Sequence, residues 1–129
     1  MIEKRLLGRS GLEVSPLGMG CWAIGGVWQF LDIPGGWGEV DDAESIRTVQ
    51  AALDSGITLF DTAEAYGPFA NEELVGEALQ PIPGQVVIAT KFGFDIDPDG
   101  SRYGLDSRPE HIRAVTDRSM KRLQISNID

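Results

Sequence analysis

Residues 56–67 read GITLFDTAEAYG, and this stretch decides the fold. A glycine precedes a short apolar run, and polar residues begin at Asp61. A short apolar run bounded by such signals is typical of a buried strand, here predicted over residues 57–60. Residues 86–90, VVIAT, repeat the pattern and are followed directly by Lys91. Unbroken apolar strands of this kind indicate a parallel sheet that is covered on both faces.

Helical patterns flank these predicted strands. Asp41 or Asp42 can cap a first helix, and Gly56 stands where a helix C-terminal cap belongs. A second helix is predicted over residues 72–79, with Asn71 as its N-terminal cap. Two prolines, Pro81 and Pro83, then end that helix.

The two ends of the chain supply further elements. Residues 4–7 and 12–14 predict a hairpin around a glycine-rich turn, and residues 17–20 predict a buried strand. Residues 107–110, SRPE, fit a capping box with proline in the first helical turn, and predict a third helix. Residues 127–129 resemble the start of another strand.

Residues 21–40 form a long irregular segment with five glycines and three tryptophans, Trp22, Trp28 and Trp37. Loops of this length in a compact domain are usually functional or disordered, and the aromatic content disfavours disorder. The segment either folds over a ligand pocket or forms a satellite hydrophobic cluster. We favour the pocket, because large rings need a surface to cover.

Strands that alternate with helices imply βαβ units and two competing architectures. A doubly wound sheet normally carries G-x-G-x-x-G between its first strand and helix. Here the glycines of GMG, residues 18–20, are followed by CWA, and about twenty residues separate them from the helix. The alternative is a (β/α)8 TIM barrel, which needs about 250 residues. We therefore predict that residues 1–129 are the N-terminal half of one barrel domain, a hairpin cap plus about three βα units.

Composition excludes several classes of protein. A net charge of −9 argues against nucleic acid, which binds clustered lysine and arginine. No apolar run approaches the ~20 residues of a membrane helix, so no membrane partner is expected. Cys21 is the only cysteine, which excludes an internal disulfide and a cysteine-cluster metal site. No metal is predicted, and the cytoplasm is the expected location.

Three polar residues fall where a barrel places its chemistry, at strand ends and in the loops that follow. Asp61 and Lys91 each close a strand, and Tyr66 lies in the loop after Asp61. Carbonyl reduction needs a general acid. A cation ~4 Å from a tyrosine contributes roughly 4 kcal/mol to proton release at an effective dielectric of ~20. Residue types leave a plainer alternative open, in which Asp61 and Lys91 form a surface salt bridge and Tyr66 only packs.

At these residues the sequence resembles the aldo-keto reductase superfamily, over essentially the whole chain. The resemblance rests on four motifs: VSPLGMGCW (14–22), GITLFDTAEAYG (56–67), NEELVGEAL (71–79) and IATKFG (88–93). It implies that Tyr66 is the proton donor, that Lys91 eases release of its proton, and that Asp61 completes the ion pair. It also implies a nicotinamide cofactor, NADPH, contacted by Cys21, Trp22 and Asp61, and a small-molecule carbonyl substrate. Glu64 receives no role.

The resemblance also implies a fourth catalytic residue, a histidine at the end of a fourth strand, which would lie beyond Asp129. His111 is not a substitute, because it falls in the first turn of the third helix, and we expect it at the surface. The chain is therefore expected to be a fragment, inactive alone, that self-associates through exposed barrel edges.

Two function classes follow from the resemblance. The first is an NADPH-dependent reductase of aldehydes and ketones. The second is a cofactor-binding partner protein, similar to the β subunits of voltage-gated potassium channels. The acidic charge and the lack of an extended N-terminal segment favour the enzyme.

Overall fold

The structure, a computed structural model, describes residues 3–30, 32–80, 82, 84–101 and 103–129. In chain order its elements are β1 (Arg5–Leu6), β2 (Glu13–Val14), β3 (Met19–Gly20), β4 (Trp28–Phe30), β5 (Ile33–Gly35), α1 (Asp42–Asp54), β6 (Leu59–Asp61), α2 (Ala70–Leu79), β7 (Val87–Ala89), β8 (Phe94–Ile96), β9 (Tyr103–Leu105) and α3 (Pro109–Leu123).

A three-stranded parallel sheet in the order β3-β6-β7 forms the centre of the structure. Gly20 lies opposite Asp61 between β3 and β6, and Asp61 lies opposite Ala89 between β6 and β7. The polar groups that follow these strands are therefore brought to one edge of the sheet. The predicted strands at 17–20, 57–60 and 86–90 are confirmed, each in a shorter form.

The apolar faces of α1, α2 and α3 pack together with the sheet into one core. Its buried members include Val49, Phe60, Val75, Ile88 and Leu123. At Gly76 the helices α2 and α3 touch, because an added Cβ would lie only 2.5 Å from the Arg122 carbonyl oxygen. This arrangement of helices over a parallel sheet confirms the prediction of βα units from a (β/α)8 barrel.

The ends of α1 follow the predicted caps. Asp41 is the N-cap residue, and its carboxylate accepts a hydrogen bond from the Glu44 backbone N–H at 2.7 Å. After the helix, Gly56 adopts a φ of +90°, a left-handed conformation that a glycine tolerates without strain. The hairpin of β1 and β2 was also predicted, and it is antiparallel as expected.

The predicted caps of α2 and α3 are wrong. The helix α2 begins at Ala70 with Phe69 as its cap residue, because the Asn71 side chain is taken into the interior by buried hydrogen bonds instead. In α3 the cap residue is Arg108, so Ser107 lies one position too early to bind the first turn. Pro109 does occupy the first turn as predicted. Pro81 and Pro83, predicted to end α2, lie outside the described residues.

Two hairpins and one missing strand also depart from the predictions. The segment 21–40 was predicted to be irregular, but β4 and β5 pair as an antiparallel hairpin inside it. A second hairpin, β8 with β9, follows the parallel strand β7 and was not predicted. Residues 127–129 form no strand, and there the Asn127 amide donates to the Asp129 carboxylate at 3.4 Å. Within the described ranges, none of the helices has the length and apolar character that crossing a bilayer requires.

Candidate active site

Asp61 and Lys91 meet at the carboxyl ends of the neighbouring strands β6 and β7. The Lys91 ammonium nitrogen donates to both carboxylate oxygens of Asp61, at 3.0 and 2.9 Å. It also donates to the backbone carbonyl oxygen of Thr62 at 2.9 Å. Three acceptors therefore fix the cation in place at the end of the sheet.

Tyr66 folds back over this ion pair. The Lys91 ammonium nitrogen lies 5.0 Å from the centroid of the Tyr66 ring. The loop that carries Tyr66 turns at Gly67, which has a φ of +68° and packs against the backbone of Gly25. A Cβ at Gly67 would overlap the Gly25 carbonyl oxygen, so the loop needs glycine both for its conformation and for this close approach. The three residues singled out from the sequence are thus in one cluster.

The electrostatics of the cluster favour a charged lysine. Partial burial alone would lower the pKa of Lys91, but hydrogen bonds to Asp61 and Tyr66 outweigh it and raise that pKa above its ordinary value. The side chains of Lys91 and Asp61 remain 40% and 47% exposed, so water screens the pair substantially. The pair therefore supplies a permanent, solvent-accessible cation beside a phenol.

Aromatic rings from the segment 21–40 surround Tyr66. Trp22 stacks on the Tyr66 ring with centroids 6.1 Å apart and an angle of 21° between the ring planes. Trp37 meets the edge of Trp22 at 5.9 Å, and Trp28 lies 6.5 Å from Tyr66. Trp28 also stacks at 5.7 Å on Tyr103, which belongs to β9. The segment therefore lies over the polar cluster, and these ring contacts are compatible with both alternatives from the sequence, a loop over a ligand pocket and a satellite hydrophobic cluster.

Cys21 lies in the core rather than at the surface of the site. Its side chain is 1% exposed, and its backbone N–H donates to the Asp61 carbonyl oxygen at 2.8 Å. Burial, followed by the nearby Asp61 carboxylate, raises the pKa of the thiol to about 12, so the thiol stays protonated. Cys21 and Trp22 were both expected from the resemblance to contact the cofactor, but only Trp22 has an exposed side chain.

Two buried polar residues near Tyr66, Asn71 at the start of α2 and Glu64 in the preceding loop, had no functional interpretation from the sequence. Asn71 donates from its amide to the Cys21 carbonyl oxygen at 2.6 Å and also to the Ile24 carbonyl oxygen. Its own carbonyl oxygen accepts from the Thr62 hydroxyl at 2.7 Å. Asn71 therefore ties the segment that carries Trp22 to the loop that carries Tyr66. A polar residue at a helix start is an ordinary cap signal, so the sequence alone did not reveal this role.

Glu64 is the second of these residues, and its side chain is 2% exposed. One carboxylate oxygen lies 3.8 Å from the Arg122 guanidinium, and the other, Oε1, has no hydrogen-bond partner within the described structure. Burial raises the pKa of Glu64 to about 7, opposed by Arg122. The only sequence signal for this burial is the placement of Glu64 between two alanines.

His111 is more buried than the sequence led us to expect. Its side chain is only 16% exposed, and Nδ1 lies 3.7 Å from the Asp106 carboxylate. Its Nε2 is 2.7 Å from the Phe94 carbonyl oxygen. The hairpin of β8 and β9 covers the first turn of α3, and an unpredicted hairpin could not be included in the sequence argument. No group of three metal-ligating side chains occurs within the described ranges.

Comparison with known proteins gives a consistent result. The sequence model of the Aldo/keto reductase family matches residues 16–129. The chain is 39% identical to the aldo-keto reductase YhdN of Bacillus subtilis over 99% of its own length and 36% of that relative's. The Bacillus halodurans aldo-keto reductase AKR11C1, in its holo form, superposes with a TM-score of 0.84 and 30% identity, over 100% of this chain and 39% of that one.

The glycerol dehydrogenase AKR11B4 of Gluconobacter oxydans superposes with a TM-score of 0.78 and 38% identity, over 98% of this chain and 37% of that one. The chain thus spans a little over a third of the length of these relatives. Because the family's sequence model covers nearly all of the chain and solved members share its fold, the chain belongs to the aldo/keto reductase family.

Proposed function

We propose that this chain provides the proton-donating part of an NADPH-dependent oxidoreductase, which reduces the carbonyl of an aldehyde or ketone to an alcohol. The observation that carries the proposal is the cluster of Asp61, Lys91 and Tyr66 at the carboxyl ends of β6 and β7. Membership of the aldo/keto reductase family supports oxidoreductase chemistry for such a cluster. The choice of NADPH rests on the family resemblance alone.

The residues at the strand ends fit a nicotinamide ring. Gly20 lies opposite Asp61 in the sheet, which places it beside the proposed acid–base cluster. The side chains of Trp22 and Asp61 are both accessible. Gly20, Trp22 and Asp61 are the residues proposed to hold the ring, with Cys21 positioning Trp22 from the core. When bound, the cofactor supplies the hydride.

In this proposal Tyr66 donates its hydroxyl proton to the substrate's carbonyl oxygen as that oxygen gains negative charge. Lys91 stabilises the phenolate that Tyr66 then becomes. At the 5.0 Å between the ammonium nitrogen and the ring centroid, this attraction is worth about 3 kcal/mol at an effective dielectric of ~20. The exposure of Lys91 makes that figure an upper value. Asp61 keeps the cation in place, and the tryptophans exclude water from one side of the phenol.

The decisive test compares two tyrosines in the full-length protein. Tyr66→Phe removes the proposed acid and leaves the shape of the ring, so turnover of NADPH with simple aldehydes should fall by at least about 100-fold. Tyr103→Phe removes the chain's other phenol hydroxyl, which donates to the Ala65 carbonyl oxygen at 3.0 Å. That control should lose about 1 kcal/mol of stability and much less turnover than Tyr66→Phe does, because the proton donor is still present. Normal turnover in a folded Tyr66→Phe protein would falsify the assignment.

The same assay separates the enzyme from a cofactor-binding partner protein. A partner protein of the potassium-channel β-subunit kind would bind NADPH without consuming it at a useful rate. Several further statements stay predictions from the sequence: the preference for NADPH over NADH, a cytoplasmic location, the assignment of residues 1–129 to one barrel domain, and self-association of this chain when isolated.

A further inference from the structure

We infer that Arg122 is a positioning residue for the proposed reaction, and that it holds both the loop of Tyr66 and the strand end of Lys91 from outside the barrel mouth. The inference rests on the proposed function. Arg122 lies in the last turn of α3, and its side chain is 12% exposed. It touches neither Tyr66 nor Lys91 in the contacts of the described residues, so it acts through the residues between them.

Three contacts join Arg122 to the segment from Glu64 to Glu72. Its Nε donates to the Glu72 carboxylate at 2.7 Å, and its Nη2 lies 3.8 Å from the Glu64 carboxylate. Its guanidinium carbon lies 4.8 Å from the centroid of the Phe69 ring. Glu64 precedes Tyr66 by two residues, and Phe69 and Glu72 follow it. One guanidinium therefore holds the loop on both sides of the proposed acid.

Glu72 links Arg122 to Thr90, the residue directly before Lys91. Its side chain is 0% exposed, and its second carboxylate oxygen accepts from the Thr90 hydroxyl at 2.6 Å. Thr90 directly precedes Lys91, whose ammonium group binds Asp61. Arg122, Glu72 and Thr90 thus form an unbroken chain of hydrogen bonds from α3 to the end of β7.

The loop needs such support because its backbone is strained. Phe69 has a φ of +68° and a ψ of −34°, a backbone conformation that a bulky residue rarely adopts. Packing of its ring on the guanidinium holds that conformation in place. A guanidinium offers a planar fork and a flat face at once, whereas a lysine ammonium offers a single point charge. Only arginine can bind Glu72, approach Glu64 and stack on Phe69 together.

The test uses Arg122→Lys in the full-length protein, because this variant keeps a cation beside the buried Glu72. We expect kcat to fall about 10-fold or more, since small misplacements of catalytic groups are costly, while KM for NADPH changes less than about twofold. Arg113→Lys is the matched control, because Arg113 is exposed on the same helix, and it should retain the wild-type kcat. An unchanged kcat in Arg122→Lys overturns the inference.

A double-variant cycle separates positioning from general stability. With Tyr66→Phe as background, no phenol remains to be positioned, so Arg122→Lys should change the residual rate less than about twofold. If it lowers the rate by the same factor with and without the phenol, Arg122 is only structural and the inference is wrong. Normal turnover in Tyr66→Phe alone would instead refute the proposed function.

A second variant covers the case in which Arg122→Lys does not fold. Phe69→Leu removes the ring beneath the guanidinium and leaves the buried charges of Glu64 and Glu72 in place. Phe69→Leu should lower kcat with little change in KM for NADPH, as Arg122→Lys does. In the Tyr66→Phe background it should likewise change the residual rate less than about twofold. Wild-type kcat in folded Phe69→Leu would overturn the inference as well.

Discussion

Replacement of Glu64 by glutamine should make the stability of the protein respond differently to pH. Burial raises the pKa of Glu64 from 4.5 to about 7, with Glu72 adding to the rise and with Arg122, Arg118 and His111 opposing it. The folded protein therefore binds this proton more tightly than the unfolded chain does. As pH rises from 4.5 to about 7, the contribution of Glu64 to the free energy of unfolding falls by about 3 kcal/mol, and above 7 it is constant. Below 4.5 both states are protonated and the contribution vanishes.

Glutamine has the same shape as protonated Glu64 and does not titrate. The difference in unfolding free energy between Glu64→Gln and the wild-type protein should therefore shift in favour of the variant by about 3 kcal/mol between pH 4.5 and 7. Urea unfolding of both full-length proteins at several pH values across this range measures the difference, provided that the m-values agree. Glu73→Gln, which removes an exposed carboxylate from the neighbouring helix α2, is the control. A difference that does not vary with pH would show that burial does not alter the ionisation of Glu64.

Three further outcomes follow from the geometry of the site. Lys91→Met should reduce turnover more than Asp61→Asn does, because the first removes the cation beside Tyr66 and the second only loosens it; steady-state kinetics of both variants decides the order. Trp22→Phe, Trp28→Phe and Trp37→Phe should alter KM for substrate or cofactor and the fluorescence change on binding, and unaltered values in all three would favour a satellite cluster. Asn71→Ala should destabilise the fold by about 2–4 kcal/mol in thermal or urea unfolding, because it leaves buried carbonyl oxygens of the segment 21–40 without donors.

Local signals predicted the elements whose structure is decided locally. An apolar run identified β6 and β7, and the Asp41 cap with Gly56 bounded α1, because caps and turns depend on neighbouring residues. The hairpin of β8 and β9 was missed for the opposite reason. Its strands are three residues long, and one of them, YGL, contains a glycine, so their pairing depends on each other and on the helix beneath.

The same distinction between local and long-range contacts applies to the residues of the candidate site. The neighbourhood of Asp61 and Lys91 was predictable, because consecutive βα units place successive strands side by side. The roles of Asn71, Glu64 and Arg122 were not, because each binds partners far away in the sequence. The hydrogen bond between Arg122 and Glu72, for example, spans 50 residues. No periodicity or turn signal reports such a contact.

The connection from β6 to the start of α2, which carries Tyr66, buries several polar side chains. A connection between a strand and a helix ordinarily runs over the surface, where water satisfies its polar groups. Here Thr62, Glu64, Asn71 and Glu72 are all at most 2% exposed. One carboxylate oxygen of Glu64 has no hydrogen-bond partner among the residues that the structure describes. Burying these four side chains lowers stability unless each finds a partner, and apolar residues in their places would carry no such cost. These four residues surround Tyr66 in the sequence, and their partners come from the segment that carries Trp22, from the strand end that carries Lys91 and from α3. Holding one phenol in place requires a network that ties together its three sides, and this is the physical argument that connects the buried polar groups to the proposed reaction.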